Sequence, residues 1–220
     1  QRAYEDFCAN QEAVEKFTLD KPALVCRWRM SNKKVPMLNR HIRALSERLV
    51  QGEPLTHNML SWAKQHVEWS LAEGDYTAHD GVLMLVIDIN GNAAMTVGEY
   101  EPLADTSAKA LRARSAEARS EADETGVAPE LLAAVNNGEL AFVAPTDECL
   151  CGTATLVEQL AQTKGIPVTR VDIPAQLKGA LFLVSDEHGV VPATETDAAE
   201  ADAATVAFFA DGYEKLRARR

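Results

Sequence analysis

The sequence predicts an α/β (α+β) protein in two halves, and three observations carry that expectation. Apolar runs of strand length alternate with amphipathic helical stretches along the chain. With 220 residues, 46% of them hydrophobic, the chain can bury one large core or two small ones. The segment Glu101-Pro102-Leu103-Ala104-Asp105 interrupts the alternation, so the expected units are residues 1–103 and 104–220.

In the first half, Ala23 to Met30 reads as a strand and Ser31-Asn32-Lys33-Lys34 as a turn. Val35-Pro36-Met37-Leu38 then leads into an amphipathic helix containing His41, Leu45, Leu49 and Val50. Thr56 is placed to cap a further helix with Leu60, Ala63, Val67 and Leu71 on its apolar face. Trp62 and Trp69 fall a heptad apart on that helix and, like Trp28, read as core or interface. Gly81 to Ile89 is a strongly apolar strand. Asn90-Gly91-Asn92 is a hairpin turn into Ala93 to Tyr100, because Asn and Gly tolerate positive φ.

The second half opens on a charged, Ala-rich helix from Thr106 to Thr125, stopped by Gly126. A strand–turn–strand unit follows: Leu131 to Val135, Asn136-Asn137-Gly138, then Glu139 to Val143. The chain next reads as a polar loop, a helix opened by Gly152-Thr153, a strand over Ile166 to Val171, and strands at Ala180 to Val184 and Val190 to Ala193. Thr194 to Ala204 reads as an exposed linker, and about Ala203 to Arg219 as the closing helix.

A formal net charge of −11 argues against non-specific nucleic-acid or anionic-membrane binding, both of which need basic surface. No apolar run approaches a membrane span, and the N-terminal residues Gln1 to Glu5 are polar, so a cytoplasmic protein is expected. Cys149-x-Cys151 is too tight for the usual metal knuckle. With the four cysteines unevenly spaced and no His at a matching offset, no metal site is expected and the thiols read as buried or idle.

The stretch Ala144 to Thr155 carries the functional signal. A small-residue loop feeding a helix start presents unpaired N–H groups and the positive end of the helix dipole, which is a ready anion site, typically for phosphate.

Three stretches, taken in order, resemble the class IV pyridoxal-phosphate-dependent aminotransferases, a family that includes aminodeoxychorismate lyase. Lys33 to Leu45 is similar to the family's strand–turn–"HxxRL" helix. Gly138-Glu139-Leu140, Pro145, Leu150-Cys151-Gly152-Thr153 and Gly165-Ile166-Pro167-Val168 follow its "dG-l-tP…L-G-iTR…G-i-V" pattern. Ala180 to Ser185, Gly189 to Pro192 and Asp197 track "AdE-f-tns…G-v-PV…iD".

The resemblance implies a two-domain fold, usually a homodimer, with pyridoxal phosphate between the domains and an amino acid or aminodeoxychorismate as substrate. Under it, Gly152, Thr153 and Ala154 grip the cofactor phosphate, with Ser185 and Arg43 (or Arg40) adding contacts. Lys109 is the candidate Schiff-base lysine and proton shuttle, and His188 sits in a loop facing substrate. The wording of His188 to Pro192 leans towards the lyase-like members. For each residue a plainer role stands beside this one: Lys109 and Arg43 as solvated helix charges, His41 as a structural hydrogen-bonder.

The chain also departs from the pattern. The opening glycine–acid turn has no counterpart between Thr18 and Ala23, Arg43 lies two residues after His41 rather than three, and straight alignment puts Ala108 at the lysine position. Asp186 occupies a phosphate-loop position usually held by Thr or Ser, where a carboxylate repels a phosphate. The segment bearing the acid that pairs with the pyridine nitrogen is deleted between Leu132 and Phe142. The rival expectation is therefore a degenerate homologue that keeps the fold as a binding or assembly module.

Overall fold

The structure, a computed structural model, describes residues 19–73, 80–195 and 197–219. Cys8 and the polar N-terminal residues lie outside these.

Strand β1 (Pro22–Ser31) is followed by helix α1 (Leu38–Ser46), a small hairpin of β2 (Leu49–Val50) and β3 (Glu53–Pro54), and helix α2 (His57–Glu73). Strands β4 (Asp80–Asp88) and β5 (Ala93–Glu99) complete an antiparallel sheet ordered β1-β4-β5. The inward side chains Trp28, Met30, Leu83, Leu85 and Ile87 pack with Leu45 of α1 and Val67 and Leu71 of α2. Alternation puts Val25, Met84 and Val86 on the opposite face, where Val127 and Ala122 cover them.

Helix α3 (Ala108–Thr125) leads into β6 (Leu131–Asn136) and β7 (Glu139–Val143). Helix α4 (Gly152–Thr163), β8 (Val168–Val171), β9 (Ala180–Ser185), β10 (Gly189–Pro192) and helix α5 (Glu200–Arg217) follow. The second sheet is ordered β10-β9-β6-β7-β8, with β7 and β8 its parallel pair. A parallel pair needs a crossover, and α4 supplies it. Helices α4 and α5 bury Ala154, Val157, Phe209 and Tyr213 against Phe142 and Phe182 on one face; Leu111 of α3 meets Leu132, Ala134 and Leu183 on the other.

Three expectations need correction. The helix through His41 stops at Ser46, and Leu49–Val50 pair with Glu53–Pro54, because Gln51 and Gly52 adopt positive φ and turn the chain. The closing helix begins at Glu200 rather than Ala203, so half of the expected linker is helical. Glu200 and Asp202 in its first turn favour the helix dipole, and Asp202 accepts the N–H groups of Asn137 and Gly138 at 2.9 and 3.0 Å. Of the tryptophans read as core or interface, Trp28 is core at 2% exposure, whereas Trp62 and Trp69 are exposed at 38% and 58%, Trp62 stacked on His66 and Trp69 tilted against it on the outer face of α2, so the core alternative falls for these two and the interface one stands.

The two sheets meet along β1. Val25 donates its N–H to Gly126 O at 3.0 Å, Arg29 donates its N–H to Asp186 O at 3.0 Å, and Arg27 pairs with Glu121 at 2.6 Å. These contacts bring the start of α4 and the β9–β10 turn against α1.

Candidate functional site

The loop before α4 is held from two sides. Arg170 of β8 donates to the carbonyls of Pro145, Thr146 and Glu148 at 2.7, 3.1 and 2.7 Å, and Arg119 of α3 pairs with the Glu148 carboxylate. Cys151 then sits at the N-cap of α4 without a side-chain cap bond, leaving the first N–H groups for another acceptor.

That acceptor is Asp186. Its Oδ1 receives the Thr153 N–H at 2.9 Å and the Thr153 hydroxyl at 2.8 Å. Its side chain is 12% exposed. His41 lies 3.5 Å from the same oxygen through Nδ1, an ion-pair distance too long for a good hydrogen bond. The His41 ring is buried and stacked on Trp28, with centroids 5.3 Å apart. A Cβ on Gly152 would stand 2.5 Å from His41 Nδ1, so only glycine lets the ring approach the helix start. Burial alone would raise the Asp186 pKa; the adjacent His41 and the two bonds from Thr153 more than reverse that, holding the carboxyl below its ordinary value.

The expected phosphate-binding residues divide accordingly. Gly152, Thr153 and Ala154 do form the start of α4 and are buried, but the Thr153 donors are spent on Asp186. The Ser185 hydroxyl is turned to its own loop, accepting the His188 N–H at 2.8 Å. Arg43 is exposed, whereas Arg40 reaches α4, donating to Thr155 Oγ1 at 3.2 Å and to Gln159. The expected contact from Arg43 is thus made by its alternative, Arg40, towards α4; the two-residue offset of Arg43 from His41 marks the departure, but which arginine reaches α4 needs the helix in place. Lys109 is exposed on the first turn of α3 and has no ion pair among the described residues.

His188 does not face open solvent. Its ring is buried, Nδ1 lies 3.1 Å from the Tyr100 hydroxyl, and Tyr100 in turn packs under the Arg29 guanidinium, 3.3 Å from the ring centroid. Burial pushes the imidazole below its ordinary pKa and keeps it neutral. Glu130, Glu187 and His188 bring one ligand atom each within 4.8 Å of one another, the one such grouping among the described residues. Arg114 holds both Glu130 oxygens, at 2.6 and 3.1 Å, which makes that carboxylate part of an ion pair rather than an open ligand. Burial pushes the Cys26 thiol up to about 12 and lifts Cys151 as well, which keeps these two protonated, while Cys149 is exposed.

Between the sheets the space around Asp186 is small. One cavity of about 20 Å³ is lined by Arg27, Glu130, Cys151, Ser185, Asp186 and Glu187. Another of about 30 Å³ is lined by Trp28, His41, Arg48, Cys149, Cys151 and Asp186. Each has room for little more than a water molecule, and none of the described lysines lines either. A pyridine ring with its phosphate does not fit these residues as arranged.

Comparison with known proteins places the fold. No family model matches the chain, and no curated protein matches it in sequence. Solved structures do match. A protein of Thermotoga maritima described as a branched-chain amino acid aminotransferase is 16% identical, with 94% of this chain and 93% of that one covered and a TM-score of 0.60. A hypothetical aminotransferase of Mycobacterium tuberculosis in its apo form is 14% identical, covers 89% of each chain and has a TM-score of 0.60. A protein described as a 4-amino-4-deoxychorismate lyase is 15% identical over 88% of this chain and 95% of its own, at 0.59. The Mycobacterium protein also has a pyridoxal-phosphate-bound form that matches at 0.55. The fold is therefore that of the fold-type IV aminotransferases.

Proposed function

We propose that this chain, built on the fold-type IV aminotransferase scaffold, is a degenerate homologue that works as a binding or assembly module without pyridoxal phosphate. The observation that carries this reading is the occupied cup: the Thr153 N–H and hydroxyl, donors suited to a cofactor phosphate, are satisfied by Asp186. A second anion there would meet a carboxylate a few ångströms away in a nearly dry crevice, where like charges repel strongly. The water-sized cavities and the exposed Lys109 point the same way.

The enzyme reading, with Lys109 as Schiff-base lysine and an amino acid or aminodeoxychorismate as substrate, is favoured by the fold and by a lysine on α3 with no ion pair among the described residues. Absorbance decides between them. Purified protein titrated with pyridoxal phosphate is expected to gain no saturable band in the region of roughly 410–430 nm, a property of the lysine-bound cofactor. A band that saturates at one cofactor per chain and vanishes in Lys109→Ala sinks the cofactor-free reading. Homodimer formation and a cytoplasmic setting belong to the same proposal; sedimentation velocity tests the first and fractionation of the native cell the second. No described helix is long and apolar enough to cross a membrane.

A further inference from the structure

Asp186 does more than block a cup. The start of α4 offers an aligned helix dipole of 12 residues, the Thr153 N–H and the Thr153 hydroxyl. Independently of the helix, His41 presents a buried ring nitrogen that has no hydrogen-bond partner among the described residues, 3.5 Å from Asp186 Oδ1. Arg40 stands one turn along α4, at Thr155. This donor set suits a small oxyanion, and it is assembled from both halves of the chain. The peptide of Asp186 joins them again, its carbonyl accepting the Arg29 N–H at 3.0 Å.

We infer that the start of α4 is a working oxyanion site whose resident ligand is supplied in cis, the Asp186 carboxylate standing where a free phosphate or carboxylate would bind, between α4 and His41 of α1, while its main-chain carbonyl holds β1. This rests on the cofactor-free reading and adds what occupies the site and why the occupant matters. A tethered ligand competes at a high effective concentration, so the wild-type protein ignores free anions that the emptied cup would take.

Removing the carboxylate and returning it as a free anion tests this. Asp186→Gly is expected to lose thermal stability in chloride. It should regain roughly 3–5 °C when phosphate or formate is raised to about tenfold over its dissociation constant, relative to chloride of equal ionic strength. Wild type should show no such anion-specific shift. Phosphate and formate run as separate arms tell a tetrahedral from a carboxylate preference. Asp186→Asn fills the cup with a neutral group of the same size; it should be less stable than wild type and anion-insensitive.

Asp186→Gly that responds to neither anion, or stays unfolded in both, overturns the inference. So does a wild type that shifts as much as the variant, or Asp186→Asn as stable as wild type. A wild type that stays colourless with pyridoxal phosphate alongside an anion-indifferent Asp186→Gly would sink this inference and leave the cofactor-free reading standing.

Discussion

Held by Thr153 and facing His41, the Asp186 carboxyl has its folded-state pKa below its ordinary value. A depressed carboxylate stabilises the fold at pH above the unfolded-state value, roughly 3.9, and that stabilisation disappears as pH falls through the lower folded-state value. Asp88 and Glu121 are shifted in the same direction, so the whole protein weakens in acid and only a difference isolates Asp186. The urea midpoint of wild type should exceed that of Asp186→Asn at pH 6, and the gap should close progressively below about pH 4. A gap that is unchanged at pH 3 would show that the charge of Asp186 is not what α4 holds. At this scale the sequence was half legible. A carboxylate at a phosphate-loop position announced a conflict; that it resolves by the acid becoming the ligand needs the register of β9 and β10 against α4, which no local pattern encodes.

At the scale of elements, legibility followed local chemistry. The Asn90-Gly91-Asn92 hairpin, the Asn136-Asn137-Gly138 turn and the stop of α3 at Gly126 are set by residues that tolerate positive φ, and all three lie where the sequence puts them. The β2–β3 hairpin escaped because Leu49 and Val50 continue the helical spacing of α1, and two residues of strand leave no periodicity to read.

Gly126 shows how a local cap becomes a tertiary joint. Its φ is +71°, and a Cβ there would lie 1.9 Å from the carbonyl oxygen of Ala23 in β1. Its own carbonyl accepts from Val25 N and from Arg48. Gly91, with φ +82°, has nothing among the described residues within 4 Å of its Cβ position. Gly126→Ala should therefore cost roughly 2–4 kcal/mol, the conformational penalty plus overpacking, and Gly91→Ala only about 1 kcal/mol, by chemical denaturation. Equal losses would mean that α3 does not press on β1 as described.

Over the whole molecule, the question is whether residues 1–103 and 104–220 behave as two units or one. Each sheet has its own core, which favours two. The joints between the halves favour one: the main-chain bonds of Val25 and Arg29 and the pairing of Arg27 with Glu121 along β1, and Arg217 of α5 reaching Asp80 of β4 at 3.3 Å. Val25 also lies in a core shared with Val127 and Ala122, so separating the sheets exposes apolar surface as well as breaking polar contacts. Buried main-chain groups left without partners add to that cost, which should exceed what either half can lose and stay folded. The tryptophans make this measurable, since all three, Trp28, Trp62 and Trp69, lie in the first half. Tryptophan fluorescence therefore follows the β1-β4-β5 sheet and its helices, while far-UV circular dichroism follows the helices of both halves. The two signals should share a single denaturant midpoint, as a cooperative unit requires. In Asp186→Gly, with the tie between α1 and α4 removed, the midpoints should separate, and phosphate or formate that refills the cup should bring them back together. Midpoints that differ in wild type would mean that the halves unfold independently and that Asp186 acts within its own loop alone.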